Sequence, residues 1–112
     1  MEITRVRDVE PGKNPHGVEA KMIYNHENAS VTLISLKPGE SLKRHITPVD
    51  VFFYVLEGEG VVEIGEEKET AGNDTVIHSP ANVPHCWYNE SKKPLQFLVA
   101  KTPRQREPTV IL

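Results

Sequence analysis

The chain contains a single cysteine, Cys86, among 112 residues, so it cannot form an internal disulfide. One free thiol is typical of proteins from a reducing compartment. No apolar run approaches the length that spans a bilayer, and the first residues, Met-Glu-Ile-Thr-Arg-Val-Arg-Asp, lack the apolar core of a signal peptide. We therefore expect a cytoplasmic protein without a membrane partner.

The chain also lacks an excess of positive charge. Thirteen lysines and arginines stand against sixteen acidic residues, which gives a net charge of −3. Nucleic-acid binding calls for a basic patch, so this balance predicts no nucleic-acid partner. The length is that of one domain with a core of its own.

Helical signals are missing as well, since no window combines a helical apolar period with caps. The apolar residues instead alternate with polar ones, or form short β-branched runs that end at turn residues. Many short strands with Gly and Pro between them predict an all-β fold, a double-sheet antiparallel sandwich or barrel. The predicted strands span residues 30–36, 51–56, 60–64, 74–79, 85–89 and 95–101.

Two segments fall outside this pattern. Residues 8–17, with two prolines and two glycines, predict a surface loop, and His16 within it reads as an ordinary surface residue. The chain ends in Thr-Val-Ile-Leu, residues 109–112. These four residues are expected either to form an edge strand on their own sheet or to pair with a second subunit.

A first motif is formed by Gly39, His45 and Gly58, which match a known pattern of Gly, His-x-His, Glu and Gly in spacing. Thr47 occupies the position of the second histidine and Val51 that of the glutamate. The segment therefore keeps the frame of this pattern but only one of its three side chains of a metal-binding type.

A second motif follows between residues 80 and 89. Pro80, His85 and Asn89 match the pattern Pro-x-Gly, two residues, His, three residues, Asn. Asn82 replaces the second glycine, a mild change because Asn also tolerates a left-handed turn. Gly72 lies two residues earlier than the pattern asks, which predicts an irregularity in the strand before Pro80.

Both motifs together resemble the cupin superfamily, the small double-sheet jelly rolls. The resemblance implies one cupin domain over residues 1–112, with the motif-bearing core at about 30–101. It leaves an N-terminal strand and loop at 1–29 and a C-terminal tail at 102–112. It also implies that His45 and His85 converge on one divalent transition metal (zinc, iron, nickel, manganese or copper), with His78 as the candidate third ligand.

Strand periodicity predicts which side chains line the lumen beside these histidines. Counting in steps of two from His45 and His85 gives Lys43, Thr47, Val51, Phe53 and Trp87 as the small-molecule pocket. An inward lysine either extends to the mouth of the barrel or meets an anionic ligand. Trp87 could supply a flat apolar wall with an N–H donor.

Three functional hypotheses remain open at this point. One is a metal-dependent enzyme acting on a small organic molecule as a dioxygenase, isomerase or lyase. The second is a metal-free module, either an isomerase resembling the epimerases of this fold or a non-catalytic binding protein. The third is an interaction scaffold, and under all three an outward stripe of Phe52, Tyr54 and Leu56 predicts a homodimer.

Overall fold

The structure, a computed structural model, describes residues 1–112 and contains ten strands and one short 3₁₀ turn. One five-stranded sheet, here the first sheet, has the order β1 (Glu19–His26), β2 (Ala29–Leu36), β9 (Leu95–Thr102), β4 (Asp50–Glu57), β7 (Val76–Ser79). The second sheet has the order β10 (Val110–Ile111), β3 (Ser41–Ile46), β8 (His85–Tyr88), β5 (Gly60–Ile64), β6 (Glu67–Ala71). No helix in the chain could span a membrane.

Every strand pairing is antiparallel, and the two sheets pack face to face as a jelly roll. This confirms the predicted fold class. All six predicted strands occur, with ends displaced by no more than two residues. The pattern did not delimit β3 and β6, because β3 carries a bulge and β6 is mostly exposed.

Period-two burial builds the core between the sheets. In β4 the side chains of Val51, Phe53 and Val55 are buried, while Phe52 and Leu56 on the opposite face are exposed. The same alternation in β9 buries Leu95 and Phe97. These inward rows meet in one cluster between the sheets, and Ile34, Leu42 and Phe53 of that cluster also border the cavity described below.

The C-terminal residues settle one of the alternatives left open by the sequence. Val110 pairs with Ile46 and Ile111 with His45, so β10 is an edge strand on its own chain's second sheet. The main-chain N–H of Leu112 also donates to the carbonyl of Arg44, at 3.0 Å. The tail therefore lies beside the strand that carries His45.

Candidate functional site

Two histidines meet at the base of the space between the sheets. His45 on β3 and His85 on β8 are direct cross-strand partners. Both are buried, with 7% and 2% of their surface exposed. Their Nε2 atoms lie 3.0 Å apart, a hydrogen-bond distance. The structure thus brings together the two residues that the motif spacing singles out, here called the histidine pair.

The neighbours of the histidine pair fix which ring nitrogens carry protons. His45 Nδ1 lies 2.5 Å from the carbonyl oxygen of Lys43, and a carbonyl only accepts, so Nδ1 donates. In a neutral ring His45 Nε2 must then accept, and His85 Nε2–H donates to it. His85 Nδ1 in turn accepts from the hydroxyl of Ser79, at 2.7 Å. Within the pair every ring nitrogen therefore has a protein partner.

The histidine pair is held in its neutral form. Burial lowers the pKa of His85 to about 3, and the nearby charges of His45, Lys101 and His16 act in the same direction. Burial also lowers the pKa of His45, partly opposed by its bond to the Lys43 carbonyl. Neither ring is positively charged near pH 7.

His16 is a third imidazole in the site, so the prediction that it is an ordinary surface residue is wrong. Its ring is half-buried and packs edge-on against His45, with ring centroids 4.6 Å apart. The amide side chain of Asn14 folds the loop inward: it accepts from the His16 N–H at 3.0 Å and donates to the Val18 carbonyl at 2.7 Å. Loop composition alone gives no signal of this local network.

The hydrogen bonding of His16 leaves one nitrogen available. Its Nδ1 accepts from the main-chain N–H of Lys43 at 2.9 Å, so its proton sits on Nε2. That Nε2–H has no partner in the chain. Burial lowers the pKa of His16 to about 4, with help from the charges of His45, Lys43 and Lys101.

Lys43 does not line the lumen, contrary to the prediction. The register between β3 and β8 shifts between Leu42 and His45, which marks a β-bulge. Leu42 and His45 are both buried, while the two residues between them, Lys43 and Arg44, are exposed. Because of the extra residue, counting back in steps of two from His45 assigns Lys43 to the wrong face of the strand. Lys43 contributes only its main-chain groups, which hold His16 and His45.

Trp87 and Val51 belong to the core and not to the cavity wall, which corrects their predicted pocket role. Trp87 is fully buried and stacks on Phe97, with ring centroids 4.4 Å apart. Val51 is 1% exposed. Of the predicted lining residues, Thr47 and Phe53 do line the cavity. Phe53 also contacts the His85 ring edge-on, at a centroid distance of 5.3 Å.

His78 lies away from the histidine pair. Its side chain is exposed on the outer face of β7, opposite Phe52 on β4. The next residue, Ser79, turns inward and reaches His85. His78 is therefore not available as a third metal ligand.

The cavity above the histidine pair has a volume of about 360 Å³ and is bordered by 19 residues. Its surface is mainly apolar, and His16, His45, Thr47 and His85 form a polar cluster within it, here called the polar end of the cavity. Lys101 also borders the cavity but was not among the predicted pocket residues. The alternation of Leu95, Phe97 and Val99 along β9 indicates that Lys101 faces the same side. The apolar lining includes Ile34, Leu42, Phe53 and Val99, and the polar and charged lining residues are Glu10, Lys13, Asn14, His16, Thr32, His45, Thr47, His85, Lys101 and Thr109.

The donor set falls short of a catalytic metal centre. Such centres usually offer three protein ligands and an open position. The three imidazoles of the site lie close together, but neither they nor any other three His, Cys, Asp or Glu side chains form a group that could hold a metal ion. Thr47 occupies the position of the motif's second histidine, with its hydroxyl 3.4 Å from His85 Nε2. That position therefore offers no imidazole nitrogen to a metal. The Lys101 ammonium would also repel a cation bound here. The residues present therefore do not fit the metal that the fold implies.

Solved structures share this fold over nearly the whole chain. The protein TT1209 from Thermus thermophilus is 33% identical, with a TM-score of 0.78, and the match covers 92% of this chain and 98% of that one. A polyketide cyclase, RemF from Streptomyces resistomycificus, is 20% identical with a TM-score of 0.86, over 100% and 85%. A predicted oxalate decarboxylase from Thermotoga maritima is 22% identical with a TM-score of 0.82, over 91% and 99%.

At the level of sequence, the chain matches one family model. No curated protein shows a significant match to the chain. The model of the cupin domain matches residues 32–101, which include both motifs and most of the two sheets. Since that match spans more than half of the sequence, the chain belongs to the cupin domain family.

Proposed function

We propose that the protein binds a small organic molecule in the cavity above the histidine pair, and that binding requires no metal. The observation that carries the proposal is a mainly apolar cavity in whose wall His16, His45, Thr47 and His85 form a polar cluster. Ligand sites commonly have this composition, with a few polar groups that fix the orientation of the ligand.

The size and walls of the cavity suit a compact ligand. A volume of about 360 Å³ lies at the lower end of the range for small-molecule sites. Ile34, Val99 and Phe53 offer aliphatic and aromatic contact from the first sheet, and Leu42 offers it from the second. The ligand body is therefore apolar and no larger than a substituted ring or a short chain.

The polar end of the cavity selects for a hydrogen-bond acceptor. His16 Nε2–H has no partner in the chain and can donate to a ligand. The nitrogens of the histidine pair are already engaged with each other, Ser79 and the Lys43 carbonyl. A ligand oxygen can thus be bound without disturbing the pair.

The electrostatics of the site favour binding over acid–base catalysis. A general base works best when its pKa lies near the operating pH. The pKa of His85 is lowered to about 3 and that of His16 to about 4, so both are weak bases at pH 7. We therefore favour a non-catalytic binding module over a metal-free isomerase.

A cavity-filling variant tests the proposal. Thr32→Phe places a ring in the cavity, since Thr32 is one of its lining residues. We expect fragments with an apolar body and an acceptor group to raise the melting temperature of the wild-type protein but not that of Thr32→Phe. Thr70→Phe, on the exposed strand β6, is the matched control and should bind fragments normally.

Two results would contradict this proposal. One is that fragments stabilise wild type and Thr32→Phe equally, or stabilise neither. The other is a stoichiometric transition metal in the protein purified without chelator, together with loss of that metal in His45→Ala and His85→Ala. The second result would favour the metal-dependent hypothesis instead.

A further inference from the structure

We propose that Lys101 binds a carboxylate of the ligand, so that the ligand class is a small organic monocarboxylate. This inference rests on the proposed binding function of the cavity. It specifies that the ligand carries a negative charge and that Lys101 is the residue that binds the charged group.

The position of Lys101 follows from the alternation of β9. Leu95, Phe97 and Val99 point between the sheets, and Lys101 is the next residue on that face. It is half-buried and borders the cavity. A lysine therefore borders a mainly apolar space, and its ammonium is held by Gln105 of the C-terminal tail.

Lys101 has no acidic partner in the chain. The three ion pairs of the structure join Arg7 to Asp8, His26 to Glu2 and Arg106 to Glu27. The ammonium of Lys101 donates one hydrogen bond, to Oε1 of Gln105 at 2.6 Å. Since a lysine ammonium has three donors, two remain for another acceptor.

The charge of Lys101 acts on the whole polar end of the cavity. It contributes to the lowered pKa of His16, His45 and His85, and all three of these residues border the same cavity as Lys101. Partial burial lowers the pKa of Lys101 itself, because the charged form loses solvation. A carboxylate in the cavity would compensate this loss, whereas a neutral ligand would not.

The C-terminal tail positions the ammonium. Gln105, which accepts from Lys101, donates through its side-chain nitrogen to the Glu107 carbonyl at 2.6 Å and to the Thr109 hydroxyl at 2.9 Å. Thr109 also borders the cavity. The tail and β9 thus frame the same part of the cavity wall, and His16 Nε2–H, a donor without a protein partner, borders the same cavity.

Pairs of acids and amides of equal shape test the inference. The probes are benzoate against benzamide and hexanoate against hexanamide, with dissociation constants measured by NMR titration. Hydrogen bonds to a charged partner contribute about 1.5–3 kcal/mol, so wild type should prefer the acids by about ten- to a hundred-fold. Lys101→Met should lose this preference while keeping its affinity for the amides.

Two variants control for general effects of charge and geometry. Lys92→Met removes an equal charge from an exposed position and should keep the wild-type preference. Lys101→Arg keeps a cation in place and should restore most of the preference. Gln105→Ala should weaken acid binding alone, because it releases the ammonium without removing it.

The outcomes separate this inference from the proposed function. Equal binding of acids and amides by wild type, both lost in Thr32→Phe, would overturn the role of Lys101 and leave the cavity as a binding site for neutral molecules. A preference that survives in Lys101→Met would also overturn that role. Failure of all four probes to bind would count against both proposals.

Discussion

At the scale of single residues, the buried histidines should make stability depend on pH. The pKa of His85 is lowered to about 3 and that of His16 to about 4, against 6.5 in an unfolded chain. Below pH 6.5 the unfolded chain therefore binds more protons than the folded protein, and folding becomes less favourable as the pH falls towards these values. The full stability is present above about pH 6.5.

Urea unfolding at a series of pH values measures this effect. The buried His85 can lower the free energy of unfolding by up to about 1.4 kcal/mol per pH unit across this window, and the half-exposed His16 contributes less because solvent screens it. His85→Gln should flatten the dependence, whereas Phe53→Leu should lower stability by a similar amount at every pH. An unchanged slope in His85→Gln would show that His85 is not held neutral.

The residue scale also shows what the sequence could predict about the site. Motif spacing correctly predicted that His45 and His85 converge, because residues at these motif positions lie on neighbouring strands of the fold. The count in steps of two along the strand failed for Lys43, because one extra residue in β3 reverses the facing of the residues before the bulge. Loop composition failed to predict the position of His16, because the side chain of Asn14 determines where that ring packs.

At the scale of elements, the turn between β4 and β5 depends on a glycine. Gly58 has φ = +89°, and a Cβ there would lie 2.4 Å from the carbonyl oxygen of Pro94. Gly39 has a similar φ of +86° but no atom within 4 Å of a Cβ. The two positions therefore separate backbone strain from steric overlap.

We expect Gly39→Ala to cost about 1–2 kcal/mol of stability, the penalty of a left-handed conformation with a side chain. Gly58→Ala should cost more, about 3–5 kcal/mol, because backbone must also move. Equilibrium unfolding in urea gives both values. Equal losses in the two variants would mean that the turn relieves the overlap with Pro94 at no cost, and would contradict the steric part of this prediction.

The strands themselves were largely predictable because each buries one face against the other sheet. Alternation of apolar and polar residues is enough to locate such strands, and β4 and β9 are clear cases. The edge strands were less visible. β6 has only one buried residue, Ala71, and therefore carries almost no alternation.

At the scale of the whole molecule, the outer face of the first sheet carries an apolar patch across β2, β9 and β4. Cross-strand neighbours form two rows on this face, Phe52 beside Ala100 and Val31, and Tyr54 beside Leu98 and Leu33. Phe52 is 41% exposed. A sheet face of this kind suits an isologous contact, in which the same surface serves both partners.

We expect the chain to form a homodimer through this face, as the Phe52–Tyr54–Leu56 stripe predicts. Phe52→Glu should shift the protein to a monomer, because a carboxylate would be buried without a partner. Ile3→Glu, also at an exposed apolar position, should stay dimeric. Analytical ultracentrifugation gives the mass of each, and a monomeric wild type at all concentrations would refute the expectation.

The only indole of the chain gives the protein an internal optical reporter. Trp87 lies in the core with its Nε1–H unpartnered, and Phe53 stands between it and His85. Its fluorescence should therefore be that of an indole shielded from water, and should shift to longer wavelength in one step when the sandwich opens. Because Phe53 touches both the indole and the cavity, a ligand that moves this ring should also change the emission intensity. Unlabelled protein in a fluorimeter would then be enough to follow both folding and binding.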